Sequence, residues 1–158
     1  MKLSESAQKV QKELLLRGIQ AKVMELPSST RTAVEAAQAI GCTVAQIVKS
    51  LVFRGVESRK PILIEASGLN RVNEKVVAQV IGESIVKADA NFVREKTGFA
   101  IGGIPPMGHT SEMSAVLIDE DLLQYSELWA AAGTPHAVFR LTPDELILIS
   151  SGKVISIK

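Results

Sequence analysis

The sequence predicts one α/β domain spanning 1–158 with a mixed sheet, and three observations carry that prediction. Short apolar stretches with strand alternation recur between segments whose apolar residues fall at helical spacing. Two of the strands are separated only by a loop over 55–60, which favours an antiparallel pair, whereas others are separated by helical crossovers. A chain of 158 residues is long enough to bury one substantial core, and it contains no internal repeat, linker or low-complexity segment.

Each element has a local reason. Ala7, Val10, Leu14 and Leu15 form the apolar stripe of a helix over 4–17, and Gly18 ends it. Residues 19–26 alternate as a strand until Pro27-Ser28-Ser29-Thr30 breaks it. Thr32 and Glu35 fit a capping box for a helix reaching Gly41, and Thr43 with Gln46 repeats the signature just before a strand over 47–53. A partner strand follows over 61–66. A helix over 73–81 closed by Gly82, a strand over 84–87 and a helix over 89–96 lead to a glycine-rich loop. Beyond it the pattern predicts a strand over 114–118, a helix over 120–132 ended by Gly133, and a strand over 136–141. Thr142-Pro143-Asp144-Glu145 starts a last helix, with proline at its first position and a capping-box glutamate, and 152–157 alternates as a final strand.

Composition removes several function classes. Hydrophobic residues are 46%, charged residues 22% and aromatic residues 4%, the profile of a globular domain packed mostly with aliphatic side chains. One cysteine and two histidines allow neither an intrachain disulfide nor a zinc-binding pattern, so a reducing cytoplasmic setting is expected. The N-terminus leads into a polar helix without a secretory pattern, and no apolar run reaches the roughly 20 residues of a membrane span. A net charge of +1 argues against a long nucleic-acid footprint, leaving at most a local patch drawn from Arg31, Lys49, Arg54, Arg71, Lys87, Arg94 and Lys96. A monomer is the default expectation.

Two features suggest chemistry. In the loop over 97–109, Gly98, Gly102, Gly103 and Gly108 permit unusual backbone angles while Pro105 and Pro106 stiffen the path. Its N–H groups at Gly102, Gly103 and Ile104 are candidate donors toward a carbonyl, oxyanion or phosphate. Lys49 stands in the middle of Ile47-Val48-Lys49-Ser50-Leu51-Val52-Phe53, a strand apolar on both faces. A lysine there must snorkel, protect an edge, or serve an anionic or carbonyl-bearing ligand.

Lys49 within Val-Lys-Ser-Leu-Val-Phe, the Gly-x-x-x-Pro motif Gly102-Gly103-Ile104-Pro105-Pro106, and His136-Ala137-Val138-Phe139-Arg140-Leu141-Thr142-Pro143 occur in one order and approximate spacing. Together they resemble the YbaK and prolyl-tRNA synthetase editing-domain family over nearly the whole chain. The resemblance implies a curved, barrel-like sheet flanked by helices. It also implies a free-standing aminoacyl-tRNA deacylase that hydrolyses mischarged tRNA in trans, most often tRNA for proline, without metal or cofactor. The partners implied are the acceptor end of the mischarged tRNA and prolyl-tRNA synthetase. Assistance by a ribose hydroxyl stays open, as does the amino acid removed, with alanine, serine and threonine the leading small candidates.

Carried onto this sequence, Lys49 would anchor the terminal nucleotide or the carbonyl, and the main chain over Gly102, Gly103, Ile104 and Pro106 would hold the carbonyl or the attacking water. His136 would help shape the aminoacyl pocket, with His109 as a less defined contributor. Ile101, Ile104, Phe53 and Met107 are expected as pocket walls, whereas alternation puts Ser50 on the face opposite Lys49 unless the strand bulges. Cys42 reads as a packed thiol, Asp119, Glu120 and Asp121 as helix-start acids, and Trp129 and Phe139 as core. No Gly-x-Ser-x-Gly, His-Glu-x-x-His or Walker pattern competes. Two rivals stand beside this reading: a cysteine-clearing deacylase, and a binding module that recognises tRNA or the synthetase without turnover.

Overall fold

The computed structural model describes residues 3–158. Among these, five α-helices flank one eight-stranded mixed sheet. The helices are α1 (Glu5–Leu16), α2 (Ala33–Ile40), α3 (Glu74–Ile81), α4 (Ala90–Thr97) and α5 (Pro143–Ser150). The strands are β1 (Met24–Glu25), β2 (Ile47–Gly55), β3 (Pro61–Ser67), β4 (Ile85–Lys87), β5 (Ala115–Asp119), β6 (Leu128–Ala131), β7 (Ala137–Leu141) and β8 (Lys153–Ile155). They are ordered β1-β7-β6-β2-β3-β5-β8, with β4 also paired to β2, and the path does not close on itself.

Local chemistry accounts for most boundaries. The capping boxes of Thr32 with Glu35, Thr43 with Gln46, and Thr142 with Glu145 all form. Helices α2, α3 and α4 end on left-handed Gly41, Gly82 and Gly98. The hairpin of β2 and β3 is antiparallel in the register Ser50↔Glu65, while β3 pairs with β5, and β2 with β6, in parallel.

Three expected elements differ. In place of a helix over 120–132 there is a 3₁₀ turn, Glu120–Gln124, and then strand β6. The alanines of β6 favour a helix, but β2 on one side and β7 on the other offer ladder partners, and Leu128 and Ala130 become fully buried. The strand over 19–26 contracts to β1, because only Met24 and Glu25 find partners on β7. The final strand is limited to β8, paired with β5.

Burial divides by sheet face. One face carries Val48, Val52, Leu63, Ile118 and Phe139 beneath α1 and α5, and the glycine loop contributes Ile104 and Met107 to this cluster. The other carries Phe53, Ile62, Ile64 and Ala66 with Val77 of α3. A third cluster joins Ala36 and Ala37 of α2 to Ile47, with Trp129 against it. Phe139 is thus core as expected, whereas Trp129 is half-buried and lines a cavity.

Candidate active site

The site originates in a break in the pairing of β2. On one edge β2 is paired continuously with β3, but on the other β6 reaches only Ile47 and Val48, and β4 begins at Phe53. Between them Lys49, Ser50 and Leu51 lack a strand neighbour, and these are the three consecutive half-buried residues of β2. Gly68 N–H donates to Ile47 O on the β3 side, and Ala88 N–H donates to Val52 O on the β4 side. Main-chain direction alternates along a strand, so the N–H and C=O of Ser50 point into the gap.

The glycine loop covers this gap. Lys49, Ser50, Leu51, Ile101 and Ile104 line two adjoining cavities, one of about 140 Å³ and one of about 540 Å³. The smaller is completed by Gly102, Thr30, Arg31, Ala36, Trp129 and Ala130. The larger is completed by Phe53, Arg71, Glu74, Lys87 and Val93. Opposite-face placement of Lys49 and Ser50 therefore does not separate them: with one edge of the strand unpaired, both residues are accessible from the same cleft.

Lys49 Nζ donates to Asn70 O at 2.7 Å. Burial, then the nearby Arg71 cation, lower its pKa, and Asp119 opposes them. Asn70 is itself fixed by Nδ2 donating to Asp119 Oδ2 and Asp121 Oδ2, each at 2.8 Å. Asp119 also accepts from Ser67 N–H and caps the 3₁₀ turn through Asp121 N–H, so Asp119 and Asp121 are structural and hold Asn70, the partner of the lysine.

The loop's amides are not all available. Gly103 N–H donates to Ala100 O at 3.0 Å, so the expectation of a free donor there is corrected; a turn has consumed it. Gly103 is required instead for close approach, since a Cβ at this position would lie 2.9 Å from the backbone of Thr134, and its carbonyl accepts from Gly133 N–H. Among the described residues, Gly102 and Ile104 N–H have no intramolecular acceptor. Gly102 has φ +95°, and a Cβ would meet the Arg31 side chain at 2.7 Å.

Other expected residues lie further out. Phe53 reaches only the larger cavity. Met107 is buried in the core beside Pro106 and His109, in a separate depression, so it is not a wall of the Lys49 cleft. His109 Nε2 lies 2.7 Å from Pro105 O, and burial lowers its pKa, opposed by Pro105, with Arg17 adding to the lowering. Its neutral ring ties the loop to itself and does not line the cleft. His136 is exposed, with Nδ1 3.2 Å from Ser28 O, on the segment whose Pro135 carbonyl accepts from Thr30 Oγ1. It braces the loop that carries Thr30 and does not itself line either cavity. Cys42 is half-buried, and burial raises its pKa, in keeping with a packed thiol. Trp129 and Ala130 also line the smaller cavity, which a helix over 120–132 does not foretell.

The arrangement offers one sequestered ammonium, two unpaired loop amides and a divided cleft. The aminoacyl-tRNA editing domain matches residues 27–149, which contain every group just named. The chain is 36% identical over 132 residues to the uncharacterized protein YwhH of Bacillus subtilis (strain 168), covering 84% of this chain and 83% of that protein. It is 32% identical over 92 residues to the proline–tRNA ligase of Limosilactobacillus fermentum, 56% of this chain but only 16% of that ligase. A solved structure described as a proposed trans-editing enzyme for prolyl tRNA synthetase superposes with a TM-score of 0.93 at 50% identity, over 99% of each chain. With most of its length matched and its fold shared, the chain belongs to the aminoacyl-tRNA editing-domain family.

Proposed function

We propose that this protein is a deacylase acting in trans, which hydrolyses the ester joining a small wrong amino acid to tRNA for proline. What most supports the reading is that Lys49 lies at the junction of a small, largely apolar cavity and a larger one carrying Arg71 and Lys87. At about 140 Å³ the first is well below the roughly 300 Å³ at which nucleotide- or drug-sized pockets begin, and it suits a small side chain. The second, about 540 Å³ and bearing two further cations, suits the terminal nucleotide with its phosphates.

In this reading the ester carbonyl sits at the junction. Water adds to the carbonyl carbon; the oxygen that becomes negative is met by the Gly102 and Ile104 N–H groups, with Lys49 and Arg31 as the cations lining the same cavity. The carbon–oxygen bond to the ribose then breaks, the ribose oxygen leaves with a proton, and a free amino acid and an intact tRNA separate. Such an ester is already activated, so positioning and charge stabilisation suffice, and the chain contributes no nucleophile. Small differences between acyl groups are discriminated by only about 1–3 kcal/mol in one pocket, which is the physical reason for a second, smaller sieve.

The test is a deacylation panel. tRNA for proline charged in turn with alanine, serine, threonine, cysteine and proline is followed for multiple-turnover release. Loss of alanine, serine or threonine with proline retained is expected. Preferential loss of cysteine would transfer the protein to the cysteine-clearing branch, and binding without turnover would make it a recognition module.

A further inference from the structure

Glu65 lies in the middle of β3, a strand buried at all seven positions, and is 0% exposed. Its Oε2 is 2.7 Å from Ser50 Oγ, its register partner on β2, while Oε1 has no partner. Ser50 lines both cavities of the Lys49 cleft. A carboxyl group without a salt bridge, placed directly behind a residue of the proposed substrate cleft, is not explained by packing, since a leucine would fill a β3 core position without the cost of burying a polar group.

Hydrogen-bond accounting defines its state. An ionised carboxylate would leave a charged oxygen, Oε1, buried and unpartnered, whereas a neutral acid needs only one donor satisfied. The available partner is Ser50 Oγ, so the acid proton goes on Oε2 and is donated to that oxygen. With its oxygen accepting from Glu65, the serine hydroxyl is free to turn its own proton away from the acid, and Ser50 borders the cleft. If Glu65 ionises, the serine hydroxyl rotates its proton back to Oε2 and the cleft loses a donor. Burial raises the pKa of Glu65 to about 8, with the Ser50 hydrogen bond opposing. The titratable groups on the surrounding elements are Lys49 and Arg54 on β2, Asp119 on β5, His109 in the glycine loop, Glu5, Lys9, Lys12 and Glu13 on α1, and Asp144 and Glu145 on α5; none of them contributes to this shift.

We propose that Glu65 is a positioning residue, which in its neutral form fixes the Ser50 hydroxyl as a hydrogen-bond donor into the substrate cleft and withdraws that donor on ionisation. The proposal rests on the deacylase reading for the identity of the ligand, an aminoacyl ester of a terminal adenosine, and Ser50 is the side chain that touches it.

Two measurements on the full-length protein test it. The side-chain carboxyl ¹³C resonance of Glu65, assigned by its loss in Glu65→Gln, should titrate near 8 and move higher in Ser50→Ala; titration in the ordinary carboxylate range would overturn the proposal. Binding of a non-hydrolysable 3′-aminoacylamino-adenosine should weaken about three- to tenfold as Glu65 ionises, the effect of one hydrogen bond. Glu65→Leu should bind about that much more weakly at every pH, and Glu65→Gln, whose amide donates permanently to Ser50, should restore binding and remove the alkaline loss. If Glu65→Gln keeps the wild-type alkaline loss, that loss belongs to Lys49 and the proposal fails while the deacylase reading stands. If no form binds the analogue, the deacylase reading fails and this role for Glu65 fails with it. Thermal unfolding of each variant confirms that it is folded where binding is measured.

Discussion

Lys49 and Glu65 occupy neighbouring strands, and burial acts on them in opposite senses. For Lys49 burial disfavours the charge, with the nearby Arg71 adding to the lowering and Asp119 opposing it, while the carbonyl of Asn70 orients its Nζ. Lys49→Ala is expected to leave the unfolding transition nearly unchanged while lowering kcat/KM for deacylation by at least about a hundredfold, the scale of losing one oriented charge at a developing oxyanion. Wild-type turnover in that variant would remove the lysine from the reaction. Glu65 has a consequence for stability. Its folded pKa of about 8 lies above the ordinary 4.5, so between those values the native state holds a proton that the unfolded chain has released. Stability from this group is therefore fully present below pH 4.5 and falls as pH rises toward 8. Urea unfolding of Glu65→Gln should show a flatter pH dependence across that window, the difference reaching on the order of a few kcal/mol. Identical slopes in the two proteins would show that Glu65 ionises normally.

At the scale of elements, the candidate cleft depends on strand β2 having too few neighbours. Strands β6 and β4 each pair with one end of β2, and the glycine loop covers what they leave open. The loop holds its place through Gly103 O accepting from Gly133 N–H and through the approach of Gly103 to the Thr134 backbone. Gly103→Ala sets a Cβ against main chain that has no rotamer to give, so the loop must shift. The expected cost is about 1–3 kcal/mol, read as a lower denaturation midpoint, together with weaker deacylation although Lys49 is untouched. A variant with both unchanged would show the loop to be more pliable than its packing implies. Helix α2 also serves the cleft: its capping box fixes where Ala33 and Ala36 meet the smaller cavity. Ala36→Leu fills that space, and release of threonine and serine should fall more than release of alanine, measured as the ratio of kcat/KM values.

The whole molecule distributes charge unevenly around one opening despite a net charge of only +1. Arg31 borders the smaller cavity, and Arg71 and Lys87 border the larger, with Lys49 between them. Of the scattered cations in the sequence, these four share the cleft. Arg71→Ala with Lys87→Ala should raise KM for charged tRNA and flatten its dependence on salt while changing kcat less, because phosphate contacts position the nucleic acid and are screened. An unchanged salt slope would place the tRNA elsewhere on the surface. No described helix is long and apolar enough to cross a membrane.

Much of this was legible in the sequence, because it depends on neighbours in the chain. Capping boxes at Thr32, Thr43 and Thr142, glycine stops at Gly41 and Gly82, and the β2–β3 hairpin all follow from local stereochemistry. Family membership was legible too, in three short motifs in order. Tertiary structure decided what depends on partners distant in sequence. It made an extended strand of Leu128–Ala131, because two ladders were there to receive it. It consumed the Gly103 amide in a turn, and it placed Ser50 on the same cleft as Lys49 by leaving one edge of β2 unpaired. It also buried Glu65 with a single partner; a protonation state is set by desolvation and by the groups facing it, and neither is written in the residues next to it in the chain.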